Sequence, residues 1–440
     1  MKCLIIAAGK GSRLSKRGDS KPLIPLLGLS LIERVILTAK KSGLTNFYVV
    51  TGYNGEKVRQ YLYRFSQSRN INITHITNEE WENGNGTSVF KAKKLLDENF
   101  ILLMGDHIFD ESILVKLKNE RIADDEVILA VDYNIKTNKL VDVNGVTKVL
   151  VEDSRILNIG KNIKKYNAYD TGIFLCSPAI FSAVEESIHN GDSSLSGGIR
   201  VLASKGKAKT FDIKDDYWID VDDEKTFKKA ENKLLDTLKK TSDGTISRYL
   251  NRPISTMITR RLLRTNITPN HVSVFSFILA MLGSLFFFLG GYINLVTGGI
   301  LAQVSSVIDG CDGEIARLKF QVTEFGGWFD AVLDRYADAF LLLGLTYFVY
   351  FTNTNFLALF IGFLAIIGAF MNSYTADKYD GLMKRKLGPG KYYFRMGRDV
   401  RMFIIFLGAV LNQPLLTLVL IAFLMNAENI RRIVVLYKNG

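Results

Sequence analysis

Four aspartates set between uncharged runs are the first residues in this chain whose types and spacing suggest chemistry. Asp309 and Asp312 lie three positions apart, Asp330 and Asp334 four apart. On helices, such steps put both members of a pair on one face. Two such faces could converge on a hard divalent ion such as Mg²⁺, which prefers carboxylate oxygens and shares its shell with substrate phosphates. Carboxylates at membrane depth cost at least ~2.5 kcal/mol each on insertion scales, so they face a cavity, a partner or a metal. The bland alternative is a solvated interhelical loop with capping aspartates. No Cys/His cluster competes for a metal.

What separates the two pairs is more specific. The stretch DGCDGEIARLKFQVTEFGGWFDAVLD resembles the CDP-alcohol phosphotransferase signature, D-x2-D-G-x2-A-R-x8-G-x3-D-x3-D. Every specified position is filled, by Asp309, Asp312, Gly313, Ala316, Arg317, Gly326, Asp330 and Asp334. The resemblance implies a membrane-embedded enzyme that takes a CDP-linked donor, releases CMP and joins the remaining phosphate to an alcohol. Asp309, Asp312 and Asp330 would hold Mg²⁺ (Mn²⁺ being the other candidate) against the donor pyrophosphate. Gly313 and Gly326 would admit the donor close to the backbone, with Ala316 beside them, and Arg317 would clamp phosphate oxygens. Asp334 resembles the family's general base toward the acceptor hydroxyl, or completes the metal shell.

A second constellation opens the chain. The run KCLIIA (2–7) reads as a buried strand leading into AAGKGSRL, where Gly9 and Gly11 permit a turn that wraps phosphates with backbone N–H groups. Arg13 and Lys21 add two cations for a triphosphate. Further strands are expected at 47–52, 72–77, 100–109 and 126–133, separated by amphipathic helical segments such as SLIERVILTAKKSG. That alternation predicts an open, mostly parallel, Rossmann-like α/β sheet with ligands at the carboxyl ends of its strands, where Asp106 falls. His75, His107, His189 and His271 form no ligand spacing.

Together LIIAAGKGSRL, SKPLIPLLG, GNGTSVF, LLMGDHIF, YDTGIFL and WIDVDDE resemble the nucleotidyltransferases that activate sugar phosphates and related head groups. The resemblance implies that Gly9, Gly11, Arg13 and Lys21 bind the triphosphate, that Gly86, Thr87 and Ser88 lie near base and ribose, and that Asp106 and Asp220 hold Mg²⁺. Asp222 is a close substitute for Asp220. LSKRGDS lacks the proline of the commoner G-x-R-x2-P-x-T pattern, which argues against an ordinary hexose substrate.

Several elements must position these residues. The 440 residues have room for two or three domains, and the net charge of +12 is unevenly placed. From 245 onward 19 basic residues face 11 acidic ones, giving +8. A basic membrane half favours anionic lipid or phosphorylated substrates over nucleic acid. The cysteines Cys3, Cys176 and Cys311 have no disulfide or metal spacing, which fits a reducing cytoplasm, and MKCLIIAAGKGSRL is not a signal peptide.

The charged segment 231–247 reads as a linker with its break at SDG (242–244), and 248–266, rich in arginine, as an amphipathic helix on the membrane surface. No charged residue occurs over the 44 positions between Arg264 and Asp309, and Gly290 and Gly291 divide that run into two spans. Spans at about 328–351 and 356–375, and two more around 402–427, make six in the domain 267–440. Lys and Arg are confined to alternate loops, Lys378, Lys384, Arg385, Lys386, Lys391, Arg395 and Arg398 among them, which puts both ends and the four aspartates on the cytoplasmic side. Lys378, Arg398 and Arg401 are candidates for an acceptor phosphate, the alternative being plain positive-inside residues.

The expected architecture is therefore an α/β nucleotidyltransferase domain (1–230) fused to an all-α six-helix transmembrane domain in the cell membrane. The pairing resembles a family of bifunctional enzymes that make CDP-inositol from CTP and inositol 1-phosphate and then couple CDP-inositol to a second inositol 1-phosphate. The resemblance also implies a homodimer through the membrane helices. A phospholipid head-group synthase with a lipid acceptor is the nearest rival, and a membrane-anchored nucleotide-binding regulator the rival of a different class.

Overall fold

The computed structural model describes residues 1–143, 145–239, 244–354, 356–387 and 397–438, with side chains throughout except at 353 and 377–387. The break expected at 242–244 lies, but for Gly244, outside the described residues. So do the side chains of Lys378, Lys384, Arg385 and Lys386 and the whole of Lys391 and Arg395. The chain forms two compact units, Met1–Leu234 and Leu235–Gly440.

In the first unit a nine-stranded sheet runs in the order Asn72–Thr77, Asn46–Thr51, Lys2–Ala7, Phe100–Met104, Ala168–Cys176, Val127–Asp132, Ala208–Asp212, Arg155–Gly160, Lys148–Glu152. The first four strands are mutually parallel, joined by helical crossovers of the expected kind. The Leu31–Lys41 helix starts at a capping box: the Ser30 hydroxyl accepts from the Glu33 N–H, and the Glu33 carboxylate from the Ser30 N–H at 2.7 Å. Leu4, Ile6, Val50, Phe100, Leu102, Leu129 and Phe174 share one core with the helices at 179–189 and 195–204.

One expectation needs refining and another correcting. Seven of the nine strands share one direction, as in a mostly parallel sheet, while Arg155–Gly160 and Ala168–Cys176 run against it. Ala168–Cys176 enters antiparallel to both of its neighbours. It follows the hairpin of Lys148–Glu152 and Arg155–Gly160, and a hairpin reverses the chain where a crossover helix would preserve its direction. The apolar run 100–109 is not one strand. Phe100–Met104 ends where the Gly105 N–H donates to the Ile6 carbonyl at 2.9 Å, and His107–Phe109 then leaves the main sheet to pair antiparallel with Trp218–Asp220.

Among its described residues the second unit has a short helical segment, Ser247–Asn251, running into the helix Arg252–Leu262, and then six longer helices: Pro269–Leu289, Tyr292–Leu318, Glu324–Asn353, Phe356–Leu387, Arg398–Val410 and Pro414–Lys438. Pro269–Leu289 and Phe356–Ala376 are long and apolar enough, by length and composition, to cross a membrane. Large apolar side chains face outward as well as into the helical core. On the first long helix Phe275, Ile278, Leu282, Leu285 and Leu289 are exposed, whereas Ser273, Ser276 and Ser284 are buried. That helix meets the next one closely at a glycine pair: a Cβ on Gly298 would lie 2.7 Å from the Gly283 carbonyl.

Tight packing in the first unit yields a stability test. A Cβ at position 198 would lie 2.5 Å from Val184 Cγ2 and 3.1 Å from Val184 Cα, so Gly198→Ala must part the 179–189 and 195–204 helices. Overpacking of this kind costs about 1–3 kcal/mol, and hydrogen exchange should show faster amide opening across both helices. Unchanged exchange there would mean that the crossing accommodates a methyl group.

Candidate active sites

In the first unit a cavity of about 420 Å³ opens at the carboxyl ends of Lys2–Ala7 and Phe100–Met104. Its floor is built by the break in the apolar run: Asp106 occupies the turn, and the pairing of His107 with Asp220 brings a second carboxylate beside it. Gly9 lines the opening with free space above its Cα, and Gly11 takes a left-handed φ of 62°. A Cβ on Gly11 would lie 2.4 Å from Lys21 Cβ, so the glycine lets the lysine pass.

Lys21 is the central cation. Its Nζ donates to Asp106 Oδ2 at 2.5 Å and also contacts Asp222 Oδ1. Arg13 Nη2 donates to the other Asp222 oxygen at 2.5 Å. Burial pulls the Lys21 ammonium down, but Asp106, Asp220 and Asp222 outweigh it and hold Lys21 above the ordinary lysine range. The two facing carboxylates respond in opposite senses. Burial raises Asp106, yet the charges of Lys21 and His107 hold it below the usual range. Burial reinforced by Asp106 and Asp222 pushes Asp220 up to about 6, against the pull of His107 and Lys21.

These contacts separate Asp220 from Asp222. Asp222 is engaged by Lys21 and Arg13, whereas Asp220 Oδ1 is buried without a hydrogen bond among the described residues. Asp106, His107 and Asp220 each offer a ligand atom within 4.8 Å of the others, and that donor set fits a divalent cation. His107, unassigned from sequence, is fixed by Nδ1 lying 2.8 Å from the Thr171 carbonyl, which turns Nε2 toward the two aspartates. Its sequence signal was adjacency to Asp106, which spacing rules overlook.

Gly86, Thr87 and Ser88 lie outside this cavity's lining, in the first turn of the Asn85–Phe90 helix. Thr87 and Ser88 accept from Asn78 Nδ2 at 3.1 and 2.9 Å, and Gly86 packs on the Ser193 backbone. Asn85 and Lys161, missed in the sequence, do line the cavity.

In the second unit the four signature aspartates come together. Asp309 and Asp312 project from the Tyr292–Leu318 helix, Asp330 and Asp334 from Glu324–Asn353, and oxygens of Asp309, Asp330 and Asp334 lie within 4.8 Å of one another. Asp330 Oδ1 is buried without a hydrogen bond among the described residues, and this orphaned oxygen again fits a cation site. Two serines of the preceding helix hold the cluster: Ser276 Oγ donates to Asp309 at 3.0 Å and Ser273 Oγ to Asp312 at 2.5 Å. Sequence reading missed both.

A cavity of about 350 Å³ is lined by Asp309, Gly310, Asp334, Arg335, Arg398 and Arg401 among others. Arg398 Nη1 bridges Asp309 (2.9 Å) and Asp334 (2.6 Å), while its Nε reaches Asp338 at 3.3 Å. Arg401, 2% exposed, pairs with the other oxygen of Asp338. Asp338 lies four residues beyond Asp334 on the same helix face and was legible only as a continuation of that spacing. Gly313, Ala316, Arg317 and Gly326 are outside this cavity's lining. The Gly313 Cα faces Arg317, and the Gly326 N–H donates to Thr323 Oγ1 at the helix cap.

Comparison with known proteins divides the chain at the same two sites. A MobA-like NTP transferase domain matches residues 3–185, and the CDP-alcohol phosphatidyltransferase family matches residues 266–430. The bifunctional IPC transferase and DIPP synthase of Rubrobacter xylanophilus is 34% identical over 98% of this chain and 95% of its own length. The archaetidylinositol phosphate synthase of Pyrococcus horikoshii is 29% identical over 40% of this chain and 87% of its own. The solved inositol-1-phosphate CTP transferase from T. maritima is 26% identical, covering 52% of this chain and 94% of that one with a TM-score of 0.47.

The elevated Asp220 has a measurable consequence. Its folded value of about 6 lies above the ordinary 3.8, so below about pH 6 a divalent cation must displace a proton from it. Mn²⁺ affinity at this site, followed by EPR titration between pH 5 and 8, should fall by up to roughly tenfold per pH unit below that value. Asp220→Asn should flatten the dependence; a wild-type profile already flat would remove Asp220 from the ligand set.

Proposed function

The chain belongs to the family of bifunctional IPC transferases and DIPP synthases, and on that premise we propose that its two sites act in succession on phosphorylated inositol. The first makes CDP-inositol and pyrophosphate from CTP and inositol 1-phosphate. The second transfers the phosphoinositol group from CDP-inositol to another inositol 1-phosphate, releasing CMP. The observation that carries this reading is the near end-to-end match to the family in a chain with an acid cluster and facing cations in each unit.

At the first site a phosphate oxygen of inositol 1-phosphate attacks the α-phosphorus of CTP, and the bond to the β-phosphate breaks. Backbone groups of Gly9 and Gly11, with Arg13 and Lys21, would hold the triphosphate and offset charge on the departing pyrophosphate. Asp222 positions those two cations. Gly86, Thr87 and Ser88 would support the nucleotide side indirectly, through the helix that carries Asn85.

At the second site the acceptor hydroxyl attacks the phosphorus that carries inositol, and the pyrophosphate bond to CMP breaks. Asp334 would take the hydroxyl proton. Arg335, Arg398 and Arg401, which line one cavity with it, would bind the acceptor's own phosphate. Lys378 joins them on the sequence reading alone. Gly313, Ala316, Arg317 and Gly326 remain assigned to the CDP moiety on the same basis. Asp106 and Asp220 at the first site, and Asp309, Asp312, Asp330 and Asp334 at the second, would hold Mg²⁺ or Mn²⁺, which when bound supplies Lewis-acid stabilisation of the phosphates.

The reading includes six membrane spans in the cell membrane, a cytoplasmic N-terminal domain and C-terminus, and pairing of two copies through the membrane helices. Outward apolar stripes support the spans, as do the 27- and 30-residue lengths of the two carboxylate-bearing helices. Those two carry too many polar groups to look like spans by composition because they build the site.

Incubation with CTP, Mg²⁺ and inositol 1-phosphate should give CDP-inositol by ³¹P NMR, then CMP and a product that stays in the aqueous phase. Product recovered in chloroform would sink the soluble acceptor in favour of a lipid one. Asp334→Asn should cut CMP release from supplied CDP-inositol by roughly 10²–10⁴-fold while CDP-inositol formation from CTP persists. Near-normal CMP release from that variant would remove Asp334 as the base.

A further inference from the structure

The short helix Arg252–Leu262 is built the wrong way round for a helix that merely floats on a membrane surface. One polar face points into the protein, with Ser255 and Thr259 1% and 0% exposed, while Ile254 and Met257 face outward along with Arg260 and Arg261. The inward residues converge on Glu314, itself 0% exposed. Arg252 Nη1 donates to Glu314 Oε1 at 2.8 Å, Ser255 Oγ to the same oxygen at 2.6 Å, and Thr259 Oγ1 to Oε2 at 2.7 Å. Both carboxylate oxygens are thereby satisfied from a single neighbouring helix.

Contacts on either side extend the seam. Gln303 Nε2 donates to Asn251 Oδ1 at 2.9 Å, Asn251 Nδ2 to Ser306 Oγ at 3.2 Å, and Lys319 Nζ to the Thr265 carbonyl at 3.0 Å. Gln303, Ser306, Gly310 and Glu314 repeat at helical spacing along the carboxylate-bearing helix Tyr292–Leu318. Asn251, Arg252 and Ser255 also line the transfer cavity, beside Asp309 and Gly310. The two helices lie against each other at Gly310, where a Cβ would meet Arg252 Nη1 and Ser255 Cβ at 3.7 Å, an ordinary contact distance.

We infer that Glu314 is a positioning residue, which pins Arg252–Leu262 in place as one wall of the transfer pocket. It sits two residues after Asp312 and three before Arg317, so the stretch that carries the signature aspartates also fixes one wall of the cavity assigned to the phosphorylated acceptor. Removing one member of a buried charged network leaves the others unsatisfied, and the helix loses its reason to stay docked. The inference rests on the proposed transferase reading for its kinetic half. Its structural half is independent, because a native reporter lies under the helix: Cys311 is fully buried, with its Sγ 3.5 Å from the Ser255 carbonyl.

The test uses the full chain in lipid nanodiscs, with wild type, Glu314→Gln and the milder Thr259→Val. Native thiols are labelled with a maleimide and read by mass spectrometry, and CMP release from supplied CDP-inositol is measured in parallel. In Glu314→Gln, Cys311 should become reactive while Cys3 and Cys176, buried in the other unit, stay protected and report an intact first unit. With CDP-inositol saturating, the KM for inositol 1-phosphate should rise roughly tenfold with kcat changed less than about twofold, the signature of lost binding rather than lost chemistry. Thr259→Val should shift both readouts in the same direction by less.

Cys311 remaining protected in both variants would overturn the pin. Cys311 becoming reactive with an unchanged KM would overturn the wall, and a fall in kcat at constant KM would place Glu314 in the chemistry instead. Wild-type protein that turns over no CDP-inositol would count against the transferase reading, while the thiol pattern would still decide whether Glu314 holds the helix.

Discussion

Like charges gathered in a desolvated space set the terms for the second unit. Asp309, Asp330 and Asp334 bring carboxylate oxygens within 4.8 Å of one another between helices whose outer faces are apolar. Without compensation each such charge would cost several kcal/mol to keep ionised away from water. The compensation comes from a ring of donors: Ser273 and Ser276 from one helix, and Arg398 from another, spanning Asp309 and Asp334. Arg398 is in turn balanced by Asp338, which also satisfies Arg401. Helix packing here follows from charge balance as much as from apolar contact.

The first unit solves the same problem with fewer parts. Lys21 stands among Asp106, Asp220 and Asp222, and their combined field overcomes its burial. That leaves the carboxylates inequivalent: one aspartate is held ionised, one is pushed toward neutrality, and a third is tied to Lys21 and Arg13. Asp106 and Asp220 would still share one cation, while Asp222 positions the two basic side chains. In both units a protein cation sits against the carboxylates that would take a metal, so part of the acid cluster's charge is offset before phosphates arrive.

Residues declared by strict spacing were legible in the sequence, because spacing on a helix is a local property. The pairs Asp309/Asp312 and Asp330/Asp334 share faces for that reason, and Gly11 is where its left-handed turn demands it. Glu314, Ser273, Ser276 and His107 were not legible, since each matters through a partner distant in sequence. Ser273 reads as an ordinary membrane-helix serine until Asp312 is seen beside it. Glu314 reads as a spare charge in a signature until Ser255 and Thr259 close on it. The split of the 100–109 run was hidden for a related reason: an apolar run reveals burial, but the partner of its second half lies more than a hundred residues further on, at Trp218–Asp220.

The arrangement bears on how a transferase avoids becoming a hydrolase. Water is smaller than any alcohol acceptor and cannot be kept out by size, so discrimination has to come from binding energy that water lacks. A phosphorylated acceptor offers that energy at a point remote from its hydroxyl, and three arginines line the cavity that holds Asp334. On the proposed roles, binding energy spent there would orient the hydroxyl toward Asp334, and a water molecule would receive none of it. A wall closed by Glu314 on one side and arginines balanced by Asp338 on another serve the same end, a donor phosphate confined where only the anchored acceptor is well placed.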